Sequence, residues 1–280
     1  MNDETFNLDV TDYTDPACPF CTDAFQESVV KPIDVRRVIE KLDEYLARND
    51  YAAAERHLAY WIEEAALGHD DRGIFSLSEE QMGLFRKLGK REEALAAAAQ
   101  ALSLIRKLGI EASVGAATAE LNAATVYKAF GEPEKAIPLF ETAQATYEEK
   151  LESGDPRLAG LYNNFALALA DRKRFADARE KYAEALAILS KTEGGEPEQA
   201  ITELNLASLT EAEKGLEEGA EEIEALLDRA EALLKKEGIE KDGNYAFVAE
   251  KCASVFDYYG RFMTAAELKE ESQRIYGENK

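Results

Sequence analysis

The amino-acid sequence predicts an all-α protein built from helical hairpins that repeat along the chain. Hydrophobic residues make up 46% of the 280 positions. Because Ala and Leu dominate this set and Glu and Lys fill most other positions, the composition favours helices. Small and aromatic residues recur every 42 positions. Glycines and prolines stand where the helices of such hairpins should end and begin.

Four sets of residues keep the 42-residue spacing across three consecutive copies. A fixed period of this length is the signature of a repeat architecture, and chance does not readily produce four such sets. The sets are Gly89, Gly131 and Lys173; Ala94, Ala136 and Ala178; Ala98, Phe140 and Tyr182; and Ala101, Ala143 and Ala185.

The middle copy is predicted to form two helices. Residues 117–130 are apolar at helical spacing and end at Gly131, which tolerates the left-handed backbone of a helix C-terminus. Pro133 follows near the start of a second helix over 134–149, where its missing N–H costs nothing. The copy is therefore one helical hairpin.

The next helices are predicted to begin at Asp-Pro and Glu-Pro pairs. Asp155 and Pro156 act as a cap and a first-turn residue, and Glu196 and Pro197 take a similar role 41 residues later. Within the hairpins, small residues should stand where helices cross closely, with large aromatic residues filling the spaces between them.

The series of small, aromatic, Gly, Ala, aromatic and Ala residues resembles the tetratricopeptide repeat. In the middle copy the series reads Ala124, Tyr127, Gly131, Ala136, Phe140 and Ala143. The familiar unit has 34 residues, and eight more add about one turn to each helix. The sequence therefore resembles the long-helix variants of kinesin light chains and of bacterial peptide-sensing regulators.

This resemblance implies a right-handed superhelical solenoid of about six antiparallel hairpins. Weaker copies flank the three central ones, over residues 35–67, 200–236 and 245–276, and the second helix of the fifth copy falls out of frame around Gly215 and Gly219. We expect a repeat domain over residues 33–280. Residues 1–32 form an acidic extension that is flexible or lies along the scaffold.

The extension contains the motif Cys18-Pro19-Phe20-Cys21. A C-x-x-C pair can carry disulfide exchange, and this one resembles the glutaredoxin site, but that chemistry needs a thioredoxin-like sheet, for which the sequence offers no strands. Half of a zinc site is the second reading, and it lacks two further ligands. The third and commonest outcome is two unengaged thiols. Cys252 stands in a core position and is expected to be buried.

The charge balance argues against two classes of partner. A formal net charge of −23 repels nucleic acid and anionic lipid surfaces. No apolar run approaches the ~20 residues that span a bilayer, the N-terminus lacks the pattern of a secretory signal, and three cysteines do not make a disulfide framework. A cytoplasmic protein fits these observations best.

The sequence shows no catalytic constellation. Only two histidines are present, His57 on the second helix of the first hairpin and His69 in the solvated turn after it. The glycine pair Gly194-Gly195 lacks the Lys-Ser/Thr partner of a phosphate loop. We therefore expect a protein that is not an enzyme and that uses no cofactor and no metal.

The resemblance implies that the first helix of each hairpin lines a concave groove that binds a protein or peptide. Asparagines stand in one repeat position at 122, 164 and 205, and their amides could clamp an extended backbone, since an amide both donates and accepts. The alternative is that each Asn bonds its own neighbouring helix. The predicted groove residues are Asn122, Thr125, Lys128, Asn163, Asn164, Leu167, Asn205 and Ser208.

Three readings of the function stay open. A partner with basic residues suits the acidic chain, and some relatives instead grip a terminal carboxylate with Lys and Arg. Here Arg86, Lys87 and Lys128 are available, but the next copy supplies Ala170 and Asp171. The alternatives to an adaptor are self-association of the array and a peptide-sensing regulator that lacks a DNA-binding domain.

Overall fold

The computed structural model describes residues 30–278, and every regular element in that range is an α-helix. The chain divides into two compact units, 1–77 and 78–280, with the boundary inside the third helix. The described helices are α1 (Val35–Ala47), α2 (Tyr51–Leu67), α3 (Asp71–Lys87), α4 (Arg91–Leu108), α5 (Val114–Ala129), α6 (Pro133–Lys150), α7 (Pro156–Asp171), α8 (Phe175–Leu189), α9 (Glu196–Leu234), α10 (Gly243–Tyr258) and α11 (Phe262–Glu278). The all-α prediction is confirmed.

In the first unit, α1 and α2 form a hairpin whose two helices are capped alike. The side chain of Asp34 accepts a hydrogen bond from the backbone N–H of Arg37, and that of Asp50 accepts one from Ala53. Such side chains satisfy amide groups that the first helical turn leaves without partners. His57 Nε2 lies 2.9 Å from the carbonyl oxygen of Val38 on α1, so this histidine joins the two helices of the hairpin.

The turn before α3 is less solvated than predicted. His69 is exposed and adopts φ 53°, as a turn residue should. Asp70, in contrast, is only 5% exposed. Its carboxylate accepts hydrogen bonds from the backbone N–H groups of Gly73 at 2.9 Å and Ile33 at 3.0 Å. Asp70 therefore caps α3 and fastens the chain that enters α1.

In the second unit, consecutive helices pack as hairpins. The pairs α5–α6, α7–α8 and α10–α11 make extensive contact, and each hairpin also packs on the next through α4–α5, α6–α7, α8–α9 and α9–α10. The part of α3 in this unit joins α4, with the hydroxyl of Ser78 donating to the Gln100 side chain at 3.3 Å. Each hairpin thus buries its apolar face against its neighbours in sequence.

A left-handed residue marks the turn between the two helices of every described hairpin. Glycine favours this conformation because it has no Cβ, yet an asparagine and a lysine adopt it in two of the six turns. The residues and their φ angles are Asn49 (55°), Gly89 (70°), Gly131 (78°), Lys173 (59°), Gly215 (80°) and Gly260 (80°). The predicted count of about six hairpins is confirmed on the described residues.

The fifth hairpin is a single helix with a kink. Gly215 keeps the 42-residue spacing from Lys173 and adopts φ 80° and ψ 170°, which divides α9 into residues 196–214 and 216–234. Gly219 takes the buried place that Ala178 holds in the preceding hairpin, one residue early. The predicted frame shift is therefore a turn shortened by one residue.

Helix ends follow the predicted punctuation with two differences. Pro133 and Pro156 open α6 and α7, and Asp155 caps α7 by accepting from the backbone N–H of Arg157 at 2.9 Å. However, α5 begins at Val114 rather than 117, because the Ser113 side chain caps it. The cap of α9 is Gly195, so Glu196 is its first helical residue instead of its cap.

The core alternates small and large side chains as predicted. Ala124, Ala136 and Ala143 are fully buried, and so is Phe140, whose ring stacks on that of Phe165 with centroids 5.4 Å apart. Since the alanines let two helices approach closely, the aromatic rings fill the remaining space. Cys252 is likewise buried at 1% exposure, as expected of its core position.

Candidate peptide-binding surface

The first helices of the hairpins in the second unit stand side by side. Contacts join α5 to α7 and α7 to α9, while α10 packs on α9. Asn122, Asn164 and Asn205 stand two positions before a fully buried alanine on α5, α7 and α9 respectively. This repeated spacing gives the three asparagines, which we call the amide column, the same half-buried position in successive hairpins.

Four of the eight predicted residues line one cavity of about 290 Å³, the amide cavity. Asn163, Asn164 and Leu167 contribute from α7, and Asn205 contributes from α9. The opposite wall comes from α9 and α10 and consists of Glu198, Ile201, Leu204, Lys251, Cys252 and Val255, with Gly160 completing the lining. Apolar walls with a few convergent amides are typical of a ligand site.

The other four predicted residues lie elsewhere. Asn122 and Thr125 line a separate cavity of about 80 Å³ next to Arg86. Lys128 Nζ lies 3.8 Å from the carboxylate of Asp171 on the next first helix. Ser208 is exposed and donates to its own helix, at the carbonyl oxygen of Leu204. The amide column therefore reaches two cavities rather than one.

The amides of the cavity keep part of their hydrogen-bonding capacity open. Asn164 Nδ2 donates to the carbonyl oxygen of Gly160 at 2.8 Å, so its donor serves its own helix. Asn163 Nδ2 donates to the hydroxyl of Thr202 at 2.9 Å, whereas its Oδ1 is buried with no donor. Within residues 30–278 the side chain of Asn205 forms no hydrogen bond. A buried polar atom without a partner costs free energy.

Two carboxylates nearby have raised pKa values. Burial, together with the charge of Glu80, raises the pKa of Glu79 to about 7, although a hydrogen bond from Asn122 opposes the shift. Burial alone raises the pKa of Glu120 to about 7, and its Oε2 is buried without a donor. Burial disfavours the charged form of a carboxyl group, so both side chains are partly protonated at neutral pH.

Burial also acts on the cations. It lowers the pKa of the Arg86 guanidinium from its ordinary value. It lowers the pKa of Lys251 as well, and the positive charge of Arg86 lowers that pKa further. Two like charges therefore act on each other from α3 and α10, within the second unit.

Comparison with known proteins agrees with this geometry. Residues 81–149 match the family described as tetratricopeptide repeat. Those residues are tetratricopeptide repeats. The match begins in α3 and ends in α6, so it covers two hairpins of the second unit. No curated protein matches the chain.

Solved structures show the same fold over more of the chain. The kinesin light chain TPR-like repeats of Podosopora anserina have a TM-score of 0.50 at 20% identity, covering 72% of this chain and 95% of that one. The apo form of RapI has a TM-score of 0.56 at 16% identity, covering 91% and 88%. A Rap protein in complex with competence and sporulation factor has a TM-score of 0.53 at 14% identity, covering 89% and 66%.

The tetratricopeptide-repeat register also explains a cavity residue that the sequence analysis missed. Lys251 stands two positions before the buried Ala253, as Asn205 stands two positions before Ala207. It thus continues the amide column in the last hairpin. The interval from Asn205 is 46 residues instead of 42, so the strict period hides it, and the small buried residue two positions later was the available signal.

The remaining sequence predictions concern metal and membrane sites. Among the described residues, no group of three or more His, Cys, Asp or Glu side chains is placed to hold a metal ion. Burial raises the pKa of the Cys252 thiol to about 12, which leaves it protonated. No described helix has the length and apolarity needed to cross a membrane. Cys18 and Cys21 lie outside the described residues, as does most of the predicted extension.

Proposed function

We propose that this protein is a tetratricopeptide-repeat scaffold that binds an extended peptide segment of another protein in the amide cavity. The open hydrogen-bonding groups of the cavity support the proposal. Asn163 Oδ1 is buried without a donor, and the Asn205 amide is unbonded among the described residues. A peptide backbone offers both N–H donors and C=O acceptors at regular spacing, so it can satisfy both amides.

The apolar part of the lining suits the same ligand. Leu167, Ile201 and Val255 lie around the amides in the cavity, where they would cover the side chains of a bound segment. Because hydrogen bonds to the backbone carry affinity and the apolar walls carry preference for particular side chains, one site can accept several related sequences.

The comparisons favour a binding protein over a catalyst. The Rap structure was solved in complex with competence and sporulation factor, and the kinesin light chain repeats and RapI share the fold. Fold alone does not determine function, so the proposal depends on the cavity itself. It assigns binding to the chain and no chemical step.

A random decapeptide pool tests the proposal with the full-length protein. We expect wild-type protein to retain a subset of peptides, whose affinities are then measured by fluorescence polarisation. The double variant Asn164→Ala, Asn205→Ala should bind those peptides about thirtyfold more weakly, because each lost hydrogen bond contributes about 1 kcal/mol.

The matched control removes an amide from an outer helix. Gln144 lies on α6, and its Nε2 donates to Glu148 at 2.6 Å, so Gln144→Ala should leave peptide affinity unchanged. Circular dichroism should show equal helix content in all three proteins. Equal affinities of the double variant and wild type would refute the assignment of the site, and a pool from which wild type retains nothing would refute peptide binding.

A further inference from the structure

Arg86 and Lys251 carry positive charges that no acidic side chain neutralises. Arg86 lies in the last turn of α3, and Lys251 lies on α10, where it lines the amide cavity. Among the described residues neither side chain forms an ion pair. This is unusual in a chain with a net charge of −23, since most cations of such a surface should find a carboxylate within reach.

Other cations of the same unit show the contrast. Lys128 pairs with Asp171 across neighbouring first helices. Arg179 on α8 pairs with Glu213 at 2.7 Å and with Glu222 at 2.8 Å. The acidic excess thus neutralises cations elsewhere in the unit, while the two at the cavity stay without an anion.

The two free cations face each other across the inner surface of the second unit. Arg86 is close enough to Lys251 for its charge to lower the pKa of that lysine. A second pair agrees with this placement, because Lys87 lowers and Glu250 raises the pKa of Tyr276 on α11. The last turn of α3 therefore faces α10 and α11, and Arg86 faces Lys251.

Two structural explanations account for part of this arrangement. Arg86 interacts favourably with the carbonyl end of the α3 dipole, and Lys251 Nζ lies 4.0 Å from the centroid of the Phe247 ring. A cation–π contact contributes roughly 0.5–2 kcal/mol. However, neither interaction removes the repulsion between the two charges, and both side chains remain exposed to solvent inside the concave surface.

We propose that Arg86 and Lys251 together bind a carboxylate group of the peptide that occupies the amide cavity. The inference rests on the proposed function and adds the chemical class of one recognised group. A carboxylate between the two side chains would accept hydrogen bonds from both and relieve their repulsion. The acidic outer surface does not forbid this, because the local potential in a concavity depends on the charges that line it.

The test uses two pools of random decapeptides, one with free and one with amidated C-termini, on the full-length protein. Wild type should enrich Asp or Glu at one peptide position in both pools if the carboxylate belongs to a side chain. If it is the chain terminus, wild type should retain peptides at least tenfold better from the free-acid pool. Either result supports the proposal and identifies the source.

The variant Arg86→Gln, Lys251→Gln should lose this acidic preference while it still retains neutral peptides. Arg106→Gln removes one charge from the exposed end of α4 and should keep the preference. Wild-type retention of peptides without any preference for a carboxylate would overturn the inference and leave the proposed function standing. Loss of all peptide retention in wild type would instead remove the proposed function itself.

A measurement without ligand tests the geometry separately. Nuclear magnetic resonance of the lysine side chains gives the pKa of Lys251 directly. Arg86→Gln should raise that pKa, because it removes a neighbouring positive charge, whereas Arg106→Gln should leave it unchanged. An unchanged Lys251 pKa in Arg86→Gln would show that the two cations do not face each other, and the proposed carboxylate site would fall.

Discussion

Lys173 holds a backbone conformation that glycine holds in four other hairpin turns. Its φ is 59°, and that of Gly131 in the preceding hairpin is 78°. A left-handed backbone costs an L-residue about 1–2 kcal/mol, part of which glycine gives back through the entropy of the unfolded chain. Nothing lies within 4 Å of a Cβ added at Gly131, so substitutions there report the backbone alone.

Exchanges at these two turns should therefore change stability in opposite directions. We expect Lys173→Gly to raise the free energy of unfolding by about 1 kcal/mol, and Gly131→Ala to lower it by about the same amount. Urea denaturation followed by circular dichroism measures both. A Lys173→Gly protein less stable than wild type would mean that the lysine side chain stabilises the turn by more than its backbone costs.

Glu120 makes stability depend on pH near neutrality. Its pKa is about 7 in the folded protein, against an ordinary value of 4.5. Between these values the folded carboxyl group keeps its proton while the unfolded one ionises, so the free energy of unfolding falls as pH rises from 4.5 to 7. Below pH 4.5 both states are protonated, and the stabilising contribution is complete.

The variant Glu120→Gln keeps a neutral side chain at every pH. It should match wild type near pH 4.5 and exceed it by about 2 kcal/mol at pH 8, given about 1.4 kcal/mol per pKa unit and some solvent screening. Comparing the two proteins cancels the contribution of Glu79, whose pKa is also raised. A stability difference that does not change between pH 4.5 and 8 would show that Glu120 is ionised in the folded protein.

At the scale of helices, prolines and glycines made most of the fold predictable. Pro133 and Pro156 open their helices, and Gly131 closes the turn before α6, because each residue has one backbone property that dominates its choice of position. Ser113 was missed as the cap of α5. The Gly-Ala-Ala run after it gave no periodic signal, so the predicted start fell three residues late.

The candidate site was less predictable than the helices that hold it. The period places asparagines on first helices, but it does not determine which share a cavity, and Asn122 lies in a different one from Asn164 and Asn205. Packing between distant hairpins decides this, as the approach of Arg86 to Lys251 shows. Such contacts depend on how small angles between hairpins accumulate, which no single repeat encodes.

For the second unit as a whole, the last hairpin shows how the acidic surface is held together. Arg261 binds three carboxylates at once, with its nitrogens 2.5 Å from Glu224, 2.7 Å from Asp228 and 3.2 Å from Glu231. These contacts place one cation among acids of the neighbouring hairpin. Because single exposed ion pairs contribute little, the main effect of Arg261 is to reduce repulsion among the acids around it.

The net charge of −23 therefore predicts how salt acts on the protein. Repulsion among acids opposes the compact state, and raising ionic strength from 0.01 to 0.15 M shortens the Debye length from about 30 to about 8 Å. We expect NaCl to raise the melting temperature of wild type across this range, as measured by calorimetry. Arg261→Gln should melt lower than wild type at 0.01 M and recover most of the loss at 0.15 M, because salt screens the acids that the arginine no longer holds. A melting temperature that falls with NaCl would mean that attractive ion pairs outweigh the repulsion, and the variant would then lose stability equally at both salt concentrations.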